Sequence, residues 1–421
     1  MASVKEKPRL MVEAEKVEKI RVSTLEFVRW LDRFGETSYD HQSFFASDLA
    51  RAAKALYYKK PLLGTLAVSP MIFCEAFLPS ARRFFWKRQR FPIADAHYAM
   101  GFAFLSRVLE DKRYYERAVH FLQVLIETRA PGYVHYGWGY PFNWETRRGP
   151  IWHDTPFITT IPYVFEAFQE VYRIDGNPKW RAIMQSIAQH AVEDYRDVTT
   201  SPNASACFYD PRPNDSSGVI NASAYRAFLL TSASTEFSND SYRQIADRNL
   251  NFVLQAQNPD GSWPYSTDEV RTFVDHFHTC FVLKALAKIE AITKNPDCTK
   301  AIARGVDYYV KNLFDEEGLP KPFSRKPRMT VYRRELYDYA ECINVGVLLA
   351  GRFPALDEAS SRAINLDGWQ KPDGSFRSRQ LLLGWDNTPM HRWAQSQLFR
   401  SLCFFLYRDS QNSGRKSLGQ N

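Results

Sequence analysis

No stretch of the 421-residue chain reaches 18 uninterrupted apolar residues, and the opening Met1–Lys7 has no apolar block. The sequence therefore offers neither a membrane span nor a secretion signal, and a cytoplasmic protein is the expectation. The six cysteines (74, 207, 280, 298, 342 and 403) are far apart with no CxxC pair, which excludes a disulfide frame and leaves reduced core thiols. In that setting the four Asn-x-Ser sequons at Asn203, Asn214, Asn221 and Asn239 are accidental. Basic residues concentrate only at Lys87–Arg90 and Lys321–Arg334, and without a continuous stripe direct nucleic-acid binding is not expected. Strand signals are confined to Tyr133–Tyr140 and Thr330–Arg333, enough for small hairpins in loops.

The chain is 45% apolar, enough for a large core, and carries a net charge of +8. That balance favours an anionic partner, either an acidic glycan or glycolipid or the surface of an anionic membrane. Aromatic residues make up 15%, including 22 Tyr and 10 Trp, which suits a surface that stacks on rings as well as a core.

One order of events recurs along the chain: a polar opening, an apolar segment, a turn, and an amphipathic segment ending near Gly or Pro. The openings fall at Asp95, Asp154, Asn221, Asp275, Tyr337 and Pro389, 52 to 67 residues apart. That period fits one helical hairpin plus one long loop. The first helix of each pair is apolar almost all round, as in Phe281–Ala287, and belongs to an inner ring; the second, as in Tyr242–Gln257, shows an i, i+3, i+4 stripe and belongs outside. The expected fold is all-α: an α/α toroid of about six hairpins at residues 41–408, with a helical extension at 1–40 and a flexible polar tail at 409–421. Asp or Asn at most openings suits an N-cap, and parallel inner helices gather those residues at one mouth.

The stretch Arg248–Trp263, with Phe252, Gln257, Gly261 and Trp263 in phase, resembles the QW repeat of the prenyltransferase and squalene-cyclase superfamily, departing at Asn249 where Gly or Ala is usual. Partial copies stand at Arg117–Leu122, Arg304–Tyr309 and Gln370–Phe376. The resemblance spans about two thirds of the chain and implies an α/α toroid. The family's chemistry does not follow it: DxDD and DDxxD motifs are missing, and Asp275 and Cys280 stand too far apart for a zinc Asp-x-Cys pair. Asp260-Gly-Ser-Trp263-Pro-Tyr265, followed by Asp275-His276-Phe277-His278-Thr279, resembles toroid proteins of bacterial polysaccharide gene clusters, and more distantly uronyl epimerases, lyases and glycosidases with α/α barrels. That likeness implies glycan processing without naming a reaction.

Asp275, His276 and His278 form the sharpest cluster, because imidazoles beside a carboxylate supply acid and base near neutral pH. Neighbouring helix positions diverge, so one of the two histidines packs elsewhere. Asp154 and Tyr337 complete the expected catalytic set. Expected substrate contacts are the aromatic wall of Tyr136, Trp138 and Trp144 with Glu145 and His153, then Tyr209, Trp263, Asp386, His391 and Arg392. Arg392 is a clamp for a carboxylate or, in the alternative, the ion-pair partner of an opening aspartate. No cofactor is expected; a metal held by Cys280, Cys342 and His391 lacks a recognised ligand spacing.

The expected function is acid–base processing of an acidic or lipid-linked glycan, of epimerase or lyase type, with hydrolysis by a carboxylate pair left as an alternative. Two rivals are a non-catalytic glycan-binding scaffold and an isoprenoid enzyme, the latter requiring an apolar cavity. The sequence leaves reaction type, substrate identity and oligomeric state open.

Overall fold

The structure is a computed structural model and describes residues 6–213, 217–327 and 330–418. Its helices in chain order begin with α1 (Glu6–Phe34), α2 (Asp48–Lys59), α3 (Pro61–Phe77) and α4 (Arg82–Phe85). Five inner–outer pairs follow: α5 (Pro92–Leu109) with α6 (Lys112–Glu127), α7 (Ile161–Asp175) with α8 (Pro178–Glu193), α9 (Ile220–Phe237) with α10 (Asp240–Gln255), α11 (His276–Thr293) with α12 (Pro296–Asn312), and α13 (Leu336–Leu348) with α14 (Pro354–Ala363). The last inner helix is α15 (Ser396–Leu418), which continues through residues read from sequence as a flexible tail. The inner helices α5, α7, α9, α11, α13 and α15 touch in that order, and α15 returns to α5, closing an α/α toroid.

The ring is closed on the outside by the other end of the chain. Helix α1, an extension by its sequence position, packs on α15, and Phe27 is buried against Phe376 and Phe399. Two loops show the equivalence. After α10, Gln257 Nε2 donates to Gly261 O and to Ala301 O of α12, both at 3.0 Å. After α14, Gln370 Nε2 donates to Gly374 O at 3.1 Å and to Ser23 O of α1 at 3.0 Å. Each loop thus ties an outer helix to the next. Gly261 (φ 91°) and Gly374 (φ 93°) need positive φ, and a Cβ there would strike the backbone of Arg304 or Glu26.

The Asp and Asn capping signal is real but belongs mainly to the outer helices. Inner helices α5, α7, α9 and α11 stop on left-handed residues, Glu110, Gly176, Ser238 and Lys294. The next residues, Asp111, Asn177, Asn239 and Asn295, cap α6, α8, α10 and α12 by accepting backbone N–H bonds. Of the expected inner caps, Asp275 alone serves: its side chain accepts from His278 N. Asp95 lies inside α5 bonded to Arg90, Asp154 sits in a loop at φ 63°, and Asn221 lies within α9.

Short antiparallel strand pairs lie in the loops: β1 (Trp144–Thr146) with β2 (Gly149–Ile151), β3 (Asp197–Ser201) with β4 (Ala204–Cys207), β5 (Val274–Asp275) with β6 (Phe323–Arg325), and β7 (Tyr332–Glu335) with β8 (Arg379–Leu381) and β9 (Trp385–Asp386). The Tyr133–Tyr140 segment is not a strand; it makes one isolated bridge at Gly139. Among the described residues, no single helix is long and apolar enough to cross a membrane. The sequon at Asn214 lies outside them.

Candidate active site

The openings of α7, α9, α11 and α13 converge with β1 and the turn before α15 on a cavity of about 730 Å³, counting the open solvent at its mouth. Its wall is aromatic and its polar groups are few, the usual make-up of a small-molecule site. A wider groove of about 920 Å³ at the junction of α1, α13, α14 and α15 contains neither histidine nor tyrosine.

His278 is the imidazole in the cavity wall. Its Nδ1 lies 2.6 Å from Asp275 Oδ2, while Asp275 Oδ1 accepts from His278 N at 3.2 Å. The buried carboxylate therefore orients the ring and places the proton on Nδ1, leaving Nε2 for a ligand. The aromatic ring of Tyr265 packs edge-on to it at 4.7 Å. His276, two residues earlier, faces the opposite way. Its Nδ1 meets Leu313 O at 3.1 Å and its Nε2 meets Tyr309 OH at 2.7 Å, and burial pushes its pKa down to about 3. It fastens α11 to α12 and is not in the cavity.

Tyr337, Trp144, Tyr209 and Arg392 also line the cavity. Tyr337 stacks on Trp393 at 4.8 Å and 12°. Tyr209 OH accepts from Thr159 Oγ1 at 3.2 Å. Arg392 is committed: its Nε and Nη2 hold Asp40 Oδ2 and Oδ1 at 2.9 and 2.6 Å, and its guanidinium lies over Tyr140 at 4.6 Å. It is an ion-pair partner, as the alternative reading held, but for an aspartate of the N-terminal segment.

Ten expected residues lie outside the cavity, Asp275 among them, bonded to His278. Besides His276, Trp138 and Trp263 are core anchors whose indole N–H groups donate to Leu125 O and Val253 O. Asp386 is buried against Arg82 at 2.7 Å. His391 uses Nδ1 on Tyr98 OH at 2.6 Å and Nε2 on Gly35 O at 2.9 Å, and burial pushes its pKa down to about 3. His153 and Asp154 pair with each other at 2.8 Å, half exposed on the outer loop. Tyr136 packs under Arg129, and Glu145 follows Trp144 in β1, so strand alternation turns it to the other face. Cys280 and Cys342 adjoin Tyr309, away from His391, and burial raises both thiols, Cys342 to about 12. Among the described residues no group of three His, Cys, Asp or Glu is placed to hold a metal ion.

The floor escaped sequence reading because its residues sit in the apolar runs of inner helices. Tyr163 and Tyr225 join hydroxyls at 2.5 Å, and Lys284 Nζ donates to Tyr163 OH at 3.0 Å. Lys284 is ion-paired with Glu341, which faces Arg400 at 3.6 Å; burial outweighs that pairing and lowers the lysine to about 8. Burial also holds Tyr163, Tyr209, Tyr225 and Tyr337 protonated well above the usual phenol range, and Tyr265 at about 12. Asn221 is buried with its Oδ1 unpartnered at the cavity wall. Trp393 reaches the cavity because the turn His391–Gln395 is irregular, with Ala394 at φ 148°. Such strain beside a cleft is typical of sites where placement of a side chain outweighs local comfort.

No family model matches the chain, and no curated protein does. Solved structures do match its fold. Cellobiose 2-epimerase from Bacillus thermoamylovorans superposes with a TM-score of 0.59 at 11% identity, covering 76% of this chain and 88% of that one. An unsaturated glucuronyl hydrolase from a Bacillus species gives 0.52 at 10% identity, covering 74% and 85%. A family 76 glycoside hydrolase from Bacteroides thetaiotaomicron gives 0.56 at 14% identity, covering 77% and 71%. All three share the α/α toroid; none of these matches shows the QW-type likeness.

Proposed function

We propose that the cavity is the active site of a carbohydrate-active enzyme that moves a proton on a bound, acidic sugar, by epimerase or lyase chemistry. The observation that carries this reading is the composition of the wall: one carboxylate-oriented imidazole, six tyrosines, and no Asp or Glu among the described lining residues. Hydrolysis by two carboxylates needs both at the scissile bond, about 5–10 Å apart, and the cavity offers neither.

In this reading, His278 Nε2 takes a proton from a sugar carbon next to a carbonyl or carboxylate, and Asp275 stabilises the imidazolium that results. Tyrosines held protonated by burial donate to the developing oxyanion or to the leaving oxygen. Trp144 and Trp393 supply faces for the ring, and Asn221 Oδ1 accepts a hydroxyl. Lys54, over Trp144 at 5.9 Å, biases the mouth towards anionic sugars. The toroid neighbours act on sugars and support the substrate class.

Incubating the protein with acidic oligosaccharides in deuterated water tests the reading. The expected result is carbon-bound deuterium or a new unsaturated sugar, both abolished by His278→Asn. Incorporation of water-derived 18O without carbon exchange would overturn it in favour of hydrolysis, and binding without any product would leave a scaffold.

A further inference from the structure

Helix α3 is apolar on its outer face as well as its inner one. Towards the protein it turns Gly64, Val68, Met71 and Ala76, packed on α2 and Phe44, and no side chain larger than glycine fits at 64 beside the backbone of Tyr57. Its one charged residue, Glu75, also turns inward, to Arg379 at 2.8 Å. Towards solvent it turns Leu62, Leu66, Phe73 and Phe77, the first 88% exposed, without a charge among them. Leu78 and Phe84 extend the patch past the helix. A surface helix of a soluble domain carries polar residues on its outer face, and an apolar patch there marks an interaction surface.

The surroundings specify the partner. Between His41 and Arg90 the chain holds nine Lys or Arg and two acidic residues, against a net +8 for all 421 residues. Lys59 and Lys60 are exposed at the start of α3, and Arg83 and Lys87 beyond its end. A second copy docking on this face would bring like charges together; an anionic surface would not. Helix α3 and the segment Pro79–Phe85 are bent by 118°, so the pair does not form a straight span. At 17 residues, α3 is about 25 Å long, a length suited to lying in a bilayer interface.

We infer that α2–α4 docks the protein on an anionic lipid bilayer, with the Leu62–Phe77 face of α3 buried at the acyl boundary and the flanking lysines and arginines among the headgroups. The same hairpin borders the cavity: α2 packs on β1, which carries Trp144, and Lys54 lies over that indole. Resting on the glycan reading above, this placement assigns the substrate to glycans carried on a membrane lipid. The docking itself does not depend on that reading.

The test is flotation of the full chain with vesicles of phosphatidylcholine alone or with 30% phosphatidylglycerol, scored separately from turnover of a soluble acidic oligosaccharide. Wild type is expected to float with the anionic vesicles and to dissociate partly in high salt. The double variant Leu66→Glu/Phe73→Glu is expected to lose at least tenfold in partitioning, with unchanged Tm and unchanged soluble turnover. Lys59→Gln/Lys60→Gln should lose about fivefold per charge on anionic vesicles. Failure of wild type to float, equal binding to neutral vesicles, or a dimer that the Leu66/Phe73 variant dissociates would each overturn the inference.

Discussion

The turns that open α11 and α15 are built from the same residue types and end in different roles. At α11, Asp275 orients His278 beside the cavity, and Nε2 is left for a ligand. At α15, His391 has both ring nitrogens bonded, to Tyr98 and Gly35, and Arg392 is bonded to Asp40. The difference comes from what arrives from elsewhere in the chain. Residues 35–40, leading away from α1, fill the α15 turn and consume its polar groups, whereas among the described residues no hydrogen bond reaches His278 Nε2. A histidine's capacity for chemistry is therefore set by how many of its nitrogens the fold leaves unbonded.

The comparison can be broken at either turn. The largest effect is expected from His278→Asn, which should lower glycan turnover by about 10²–10⁴ with Tm essentially unchanged. His391→Asn should do the reverse, lowering Tm while sparing much of the turnover in molecules that remain folded. Asp40→Ala should follow in size, because it strands the buried Arg392 charge; urea unfolding is expected to show a loss of about 3–5 kcal/mol.

pH sharpens the contrast. His276 and His391 are held neutral by burial, with folded pKa values of about 3 against an ordinary value near 6.5. The unfolded chain binds more protons between those limits, so their stabilisation is complete above about 6.5 and lost as pH falls towards 3. Urea midpoints measured from pH 7 to 4 should decline accordingly, and the decline should flatten in His276→Gln and His391→Gln. The smallest effect is expected from Trp144→Ala: a KM about 2–10-fold higher with little change in kcat, as suits the loss of one ring face.

Much of the architecture was legible because it repeats. The inner helices are recognisable by their unbroken apolar character, and the hairpin spacing locates six of them. The capping Asp and Asn were harder to place, since one residue type serves both ends of a loop; Asp111, Asn177, Asn239 and Asn295 reveal their role through the left-handed residue before each. In the site, Trp144, Tyr209, His278, Tyr337 and Arg392 were found where polar or aromatic residues flank a helix opening. Tyr163 and Tyr225 were not, because within an apolar helix a tyrosine pointing to the hollow axis and one pointing to the core look alike.

By itself the sequence determined the ring: periodic apolar segments can bury their surface only by packing on neighbours of the same kind, so the repeat dictates the toroid. Which histidine stays available, which arginine is neutralised, and which end of the chain supplies the sixth outer helix were decided by tertiary structure alone. Those outcomes depend on contacts such as Arg392–Asp40 and Gln370–Ser23, between residues separated by about 350 positions, and no local pattern carries that information.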